Sequence, residues 1–156
     1  MYLYLVQHAE AQPKEEAPER PLSDKGRAEV SRVAEFIRDQ TQVRVTRIIH
    51  SGKLRARQTA EILEDYLQTS GGITESDGLA PLDDPTMWVQ RLKDTDADIV
   101  LVGHLPHLSQ LAALLLTGDA EQPVVAFQMG GIVCLGRNEE GAWSLRWMLV
   151  PALLSK

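Results

Sequence analysis

The run "ADIVLVGHLP", residues 97–106, sets four apolar residues side by side, Ile99 to Val102, and then stops at glycine, histidine and proline. Four apolar neighbours leave no polar face, as in a strand covered on both sides. Pro106 then opens a helix over 106–117, at the first-turn position that tolerates proline. The same strand-then-helix unit recurs upstream. "YLYLV" (2–6) leads through a proline-rich loop (9–21) to a helix over 23–40, with Ser23 as N-cap and Val30, Val33, Ala34 and Ile37 at helical spacing. "VTRIIH" (45–50) leads to a helix over 53–70, ended by Gly71-Gly72. Residues 73–84 carry no clear pattern, and a short helix is expected over 85–94. "VVAFQM" (124–129), "GGIVCLGR" (130–137) and "WSLRWMLV" (143–150) read as strands, with a turn at Asn138–Gly141 and Trp143 and Trp147 on one face. Alternation of this kind predicts an α/β three-layer sandwich: a largely parallel central sheet, helices on both faces, the last strands paired on one side. The expectation is a single domain over 1–156.

Composition narrows the function classes. A chain of 156 residues suits one full-sized core, and its 44% apolar and 24% charged content is that of a globular protein. Apolar runs fall far short of the ~20 residues of a membrane helix, and "MYLYLVQHAE" lacks the basic start of a signal peptide. A cytoplasmic monomer is expected, without membrane contact. The formal net charge of −6, with both signs intermixed, argues against nucleic acid as a partner. A small anion is compatible, since a local cation cluster can oppose the global sign. The lone Cys134 excludes an internal disulfide and a multi-cysteine zinc site, and its apolar surroundings mark a buried, inert thiol.

Three of the four histidines fall where strands end: His8, His50 and His104. In an open parallel sheet those carboxyl ends form the edge where ligands bind. His50 reads as a satisfied structural residue. His107, which follows Pro106, reads as a cap or a solvent-exposed group; with His104 in the loop and no carboxylate–His pattern following, the pair does not point to a metal. Ser51-Gly52 leads into "KLRARQT", which crowds Lys53, Arg55 and Arg57 into the first turns of a helix. Unpaired N–H groups, the positive dipole end and a guanidinium fork all suit phosphate. Arg55 and Arg57 cannot share a helix face, so Arg55 is assigned to the pocket and Arg57 to solvent or a carboxylate. On local sequence alone, the same cations would equally decorate an exposed helix.

Taken together, "LVQHAEA", "RPLSDKGR", "SGKLRARQT" and "LVGHLP", in this order and at these separations, resemble the histidine phosphatase superfamily, with its phosphoglycerate mutase-like fold. The likeness runs over most of the chain and is greatest to the small SixA-like branch of phosphohistidine phosphatases. It implies that His8 attacks phosphorus and is itself phosphorylated, that Arg55 clamps the phosphoryl oxygens, and that His104 stabilises the transferring group. Gln7, Arg20 in "ERPLS" and Ser51 are the further candidate phosphate contacts. No metal or other cofactor is implied. The substrate it implies is a phosphorylated protein such as a histidine phosphotransfer domain, with a small phosphoester as the alternative and a non-catalytic phosphate-binding descendant as another.

Two departures stand out. The family opens on Arg-His-Gly, whereas this chain reads Gln7-His8-Ala9. Many members also take a general acid from the segment after the second helix; "LAPLDDP" makes Asp83 and Asp84 the candidates, with Glu75 and Asp77 in the same segment. A phosphohistidine substrate needs such an acid less, because a protonated imidazole is a good leaving group. A charge-assisted hydrogen bond is worth about 1.5–3 kcal/mol. Gln7→Arg is therefore expected to raise phosphatase turnover by roughly one to two decades; an unchanged rate would mean that position 7 does not face phosphate.

Overall fold

The computed structural model describes residues 1–155. Its elements run β1 (Tyr2–Gln7), α1 (Asp24–Gln40), β2 (Arg47–His50), α2 (Leu54–Leu67), β3 (Ile73–Glu75), α3 (Thr86–Leu92), β4 (Ile99–Gly103), α4 (His107–Thr117), β5 (Ile132–Arg137) and β6 (Trp143–Leu149), with a closing 3₁₀ turn (Pro151–Leu154). The strands form one six-stranded sheet in the order β3-β2-β4-β1-β5-β6. β3, β2, β4 and β1 are parallel; β5 and β6 are antiparallel to their neighbours on the β1 side. This is the α/β sandwich that the strand–helix alternation predicts.

Alternation along β1 divides the core. Tyr4 and Val6 pack with Val30, Val33 and Ile37 of α1 and Ala60 and Leu63 of α2. Leu3 and Leu5 pack on the other side with Leu92 of α3 and Leu108 and Leu111 of α4. β4 is buried at all five residues, as its unbroken apolar run requires.

The sequence pattern and the structure part at five places. "VVAFQM" is not a strand. Its alternation is real, with Val125 and Phe127 buried and Val124 and Ala126 exposed, but the segment pairs with no strand: β1 and β6 flank β5, and 124–129 packs its buried side chains without joining the sheet. Residues 73–84 do contain a strand, the three-residue β3, too short to show a period before Ser76-Asp77-Gly78 interrupts it. The helix expected over 85–94 spans only Thr86–Leu92. α2 stops at Leu67, because Gln68 takes the left-handed cap (φ 49°), and Gly71 serves a different purpose. Its N–H donates to the Thr46 carbonyl at 2.6 Å, and a Cβ there would lie 2.6 Å from that same oxygen. Finally, Trp143 and Trp147 do not share a face. A bulge in the β5–β6 ladder at Cys134/Leu135 inserts one residue, so Trp147 lies against Tyr4 and Trp143 joins the α3/α4 side.

Ser23 caps α1 by accepting the Gly26 N–H at 3.0 Å. Gly26 itself lets the helix start lie directly on the Glu10 backbone, which a Cβ would strike. Gly→Ala inside a helix ordinarily stabilises by about 1 kcal/mol. Here the sign reverses: Gly26→Ala is expected to destabilise by about 1–3 kcal/mol, read as a lower midpoint in urea unfolding.

Candidate functional site

The carboxyl ends of β1, β2 and β4 bring His8, His50 and His104 to one edge. His8 is the first residue past β1, yet its N–H still donates to the Gly103 carbonyl at 3.0 Å. His104 follows that carbonyl in the chain. The two imidazole centroids consequently lie 5.0 Å apart. Beyond His8 the backbone is held by α2: the Ala9 N–H donates to Thr59 Oγ1 at 3.0 Å, and that hydroxyl donates to the Arg55 carbonyl at 2.8 Å. Gln58 Oε1 takes the Leu22 N–H at 2.8 Å, so α2 also anchors the far end of the proline-rich loop. Thr59 and Gln58 are absent from the sequence-based site; their signal is spacing, Thr59 standing one helical turn after Arg55.

The His8 ring is buried, and its Nδ1 lies 2.7 Å from the Ala9 carbonyl oxygen. A carbonyl only accepts, so Nδ1 carries the proton and Nε2 keeps the lone pair. Burial lowers the pKa of His8 below the ordinary imidazole value; the Ala9 hydrogen bond partly opposes this, and the charges of Arg55 and Arg20 add to the lowering. Both guanidiniums therefore act on His8. Arg20 has the left-handed φ of 53°, costly for a residue with a side chain, and its Nε donates to the Gln12 carbonyl at 3.2 Å. Arg55 Nε is buried without a partner. Among the described residues neither arginine forms a salt bridge, whereas Arg38, Arg57, Arg91 and Arg137 do. Two guanidiniums without a carboxylate partner, beside a neutral imidazole, form an arrangement chemically suited to an anion such as phosphate.

His104 is almost fully buried. Its Nε2 shares a 2.7 Å hydrogen bond with Ser51 Oγ, which also accepts the Lys53 N–H at 3.3 Å. Burial foremost, then the charges of His8, Arg55, Lys53 and His107, push its pKa down to about 3. Gln7 pairs with Gly103 across the ladder, its Oε1 buried and unpartnered. His50 is buried, with Nδ1 accepting the Gly52 N–H at 3.1 Å, a satisfied structural histidine as expected. Arg57 faces outward and pairs with Glu61. Glu75 lies against Gly52, whose added Cβ would sit 2.8 Å from its carboxyl carbon. Asp83 accepts the Ala80 N–H and Asp84 the Thr86 N–H, both at 2.9 Å; their charges act on His107, while neither acts appreciably on His8. His107 itself is fully buried, not the exposed or capping group expected from its place after Pro106. α4 turns it inward with Leu108 and Leu111, a placement that helical spacing from Leu111 could have signalled.

Comparison with known proteins fits this geometry. The family model of the histidine phosphatase superfamily (branch 1) matches residues 3–83. The chain is 27% identical to phosphohistidine phosphatase SixA of Escherichia coli (strain K12), over 99% of this chain and 96% of that protein. This chain belongs to the histidine phosphatase superfamily, in its SixA-like branch. An uncharacterised protein of Picosynechococcus sp. (strain ATCC 27264 / PCC 7002 / PR-6) is 35% identical over 76% of this chain and 75% of its own. A solved structure of the protein histidine phosphatase SixA complexed with tungstate superposes with a TM-score of 0.86, at 26% identity, over 99% of this chain and 100% of that one. Among the described residues no helix is long and apolar enough to cross a membrane.

All four histidines have pKa values lowered by burial. Each binds its proton more weakly folded than unfolded, so folding stability is whole above the ordinary value of 6.5 and is lost as pH falls below it, for His104 down to about 3. Without phosphate, the thermal midpoint is expected to fall steadily below pH 6.5, and His104→Asn to flatten that slope; an equally steep slope in the variant would contradict the shift.

Proposed function

We propose that the chain is a protein phosphohistidine phosphatase working through a phospho-His8 intermediate. The observation that carries this is the His8 ring: Nδ1 is tied to the Ala9 carbonyl, and Nε2 is left as a neutral, desolvated nucleophile acted on by the guanidiniums of Arg55 and Arg20, neither of which has a carboxylate partner among the described residues. Full-length similarity to SixA supports phosphatase chemistry.

In this reading His8 Nε2 attacks phosphorus as the substrate's P–N bond breaks. The leaving imidazole, protonated at its other nitrogen, departs neutral. Water then attacks phospho-His8, releasing phosphate and restoring the ring. Phosphoryl transfer is mostly positioning plus positive charge around the equatorial oxygens. Arg20, Arg55 and the α2 N-terminus, with Ser51 in the loop before it, supply that charge, His104 steadies the transferring group, and Gln7 offers an amide donor in place of the family's guanidinium. Asp83 and Asp84 keep their turn and cap bonds and take no acid role, since the phosphohistidine leaving group supplies its own proton. A protein substrate, such as a histidine phosphotransfer domain, is favoured by exposed apolar side chains around the same edge: Leu82 (89% exposed), Leu105 (39%) and Met129 (42%).

Phosphate release from a phosphohistidine-bearing protein is expected to persist with chelator and to vanish in His8→Ala. A folded wild type inactive on this substrate and on simple phosphoesters alike would overturn the reading in favour of a phosphate-binding module.

A further inference from the structure

A cavity of ≈ 470 Å³ lies at the amino ends of the parallel strands, away from the three histidines. Its lining includes Tyr2 at the start of β1, Arg44 from the loop before β2, and Asp98 just before β4. His8 follows the far end of the six-residue β1, roughly 20 Å of strand away. The volume falls in the ~300–1,000 Å³ range of small-molecule sites. Ligands of an open parallel sheet ordinarily meet its carboxyl ends, so this cavity is separate from the phosphate-suited edge.

The β5–β6 bulge builds one wall of it. Cys134 pairs with Trp147 and Leu135 with Leu145, which leaves Arg146 as the extra residue. Bulges re-aim side chains, and this one lays Arg146 over Gly136. A Cβ on Gly136 would meet Arg146 Cγ and Cδ at 3.0 Å and Tyr2 Cε1 at 3.5 Å. The arginine stem and the tyrosine ring therefore share the surface that this glycine leaves bare. Trp147 stands beside them, its ring 5.9 Å from that of buried Tyr4 and tilted by 52°. Gln42 and Arg44 come from a loop held in place by Thr41, whose Oγ1 donates to the Ile37 carbonyl at 2.6 Å and accepts the Val43 N–H at 3.2 Å. Asp98 accepts the Tyr2 N–H through Oδ1 at 2.7 Å and keeps Oδ2 for another donor.

Three chemistries thus converge. Trp147 and Tyr2 offer aromatic surface for a flat ring. Arg44 and Arg146 line the same cavity, and neither forms a salt bridge among the described residues, whereas Arg38, Arg57, Arg91 and Arg137 do. Two guanidiniums facing one space repel each other until an anion joins them, and their forks match phosphate oxygens. Asp98 Oδ2 and the Gln42 amide carbonyl accept N–H groups. We propose that this cavity binds a nucleoside monophosphate, with its base against Trp147 and Tyr2, its phosphate between Arg44 and Arg146, and the N–H groups of the base turned to Asp98 and Gln42. A phosphate without a ring leaves the aromatic wall unused, and an uncharged nucleoside leaves both arginines without a partner.

The probe is adenosine 5′-monophosphate, titrated by calorimetry and by ¹H–¹⁵N NMR into wild type and into His8→Ala, with excess inorganic phosphate present to occupy the catalytic edge. His8→Ala leaves this end of β1 intact and carries no nucleophile to consume the probe. Both proteins are expected to bind it equally, with shifts at Tyr2, Arg44, Asp98, Gly136 and the Trp147 indole N–H. Arg44→Ala and Arg146→Ala, both surface substitutions, should each weaken binding about tenfold, and adenosine should bind at least tenfold more weakly than its monophosphate. Turnover of a phosphohistidine protein should be unchanged in both arginine variants. Shifts confined to His8, Ala9 and His104 would overturn the inference, as would an affinity untouched in the Arg44→Ala/Arg146→Ala double variant or matched by adenosine. A titration on wild type alone that shows no binding would overturn it too. So would sedimentation showing that a second copy of the chain covers this face and excludes the probe. None of these outcomes bears on the proposed phosphatase activity, which is read separately by its turnover.

Discussion

The last rung of the β1–β4 ladder, the His8 N–H on the Gly103 carbonyl, fixes the geometry of everything at this edge. A parallel pair holds its register through evenly spaced bonds, and a slip of one residue would turn every side chain to the opposite face. Register is set far from the site, by Leu3 and Leu5 on one side of the sheet and Tyr4 and Val6 on the other, all buried. Core packing therefore decides which imidazole stands next to which. Thr59 completes the arrangement by binding the first amide the ladder leaves free, and so joins α2 to the backbone beside His8.

Electrostatics at the edge run against the chain as a whole. The protein carries a formal net charge of −6, yet Arg20 and Arg55 stand there without carboxylates. A carboxylate partner on either would neutralise the field that an anion requires. The left-handed backbone of Arg20 is one cost of that arrangement. Gly26 is another requirement of it: the loop bearing Arg20 returns to α1 only because no Cβ separates the helix start from Glu10.

What was legible in the sequence was whatever a strong period or a strand–helix junction announces. β4, buried at every residue, and the helix spacing of Val30, Val33 and Ile37 needed no tertiary information. The meeting of His8 with His104 could be anticipated because both follow strands of a parallel sheet. Local pattern could not reveal pairing: Val125 and Phe127 alternate like a strand and are buried, yet the segment lies outside the six-stranded sheet. Nor could it register a single inserted residue at Cys134/Leu135, which changes the parity of everything after it. His107 escaped for a related reason. A helix start is usually exposed, and its full burial depends on tertiary packing that local sequence does not show.

The bulge between β5 and β6 has a spectroscopic consequence. Because it sends Trp147 to the side of α1 and α2 and Trp143 to the side of α3 and α4, with Trp88 buried on that second side, the indoles divide between the two helical layers. Intrinsic emission from the whole chain thus blends signals from both. Retaining Trp147 alone gives a reporter seated against Tyr4 of β1, the strand that ends at His8, and retaining Trp88 alone gives one on the short helix beside the Asp83 turn. A single backbone irregularity has in effect labelled the two layers separately, so that loosening of one could be watched while the other holds.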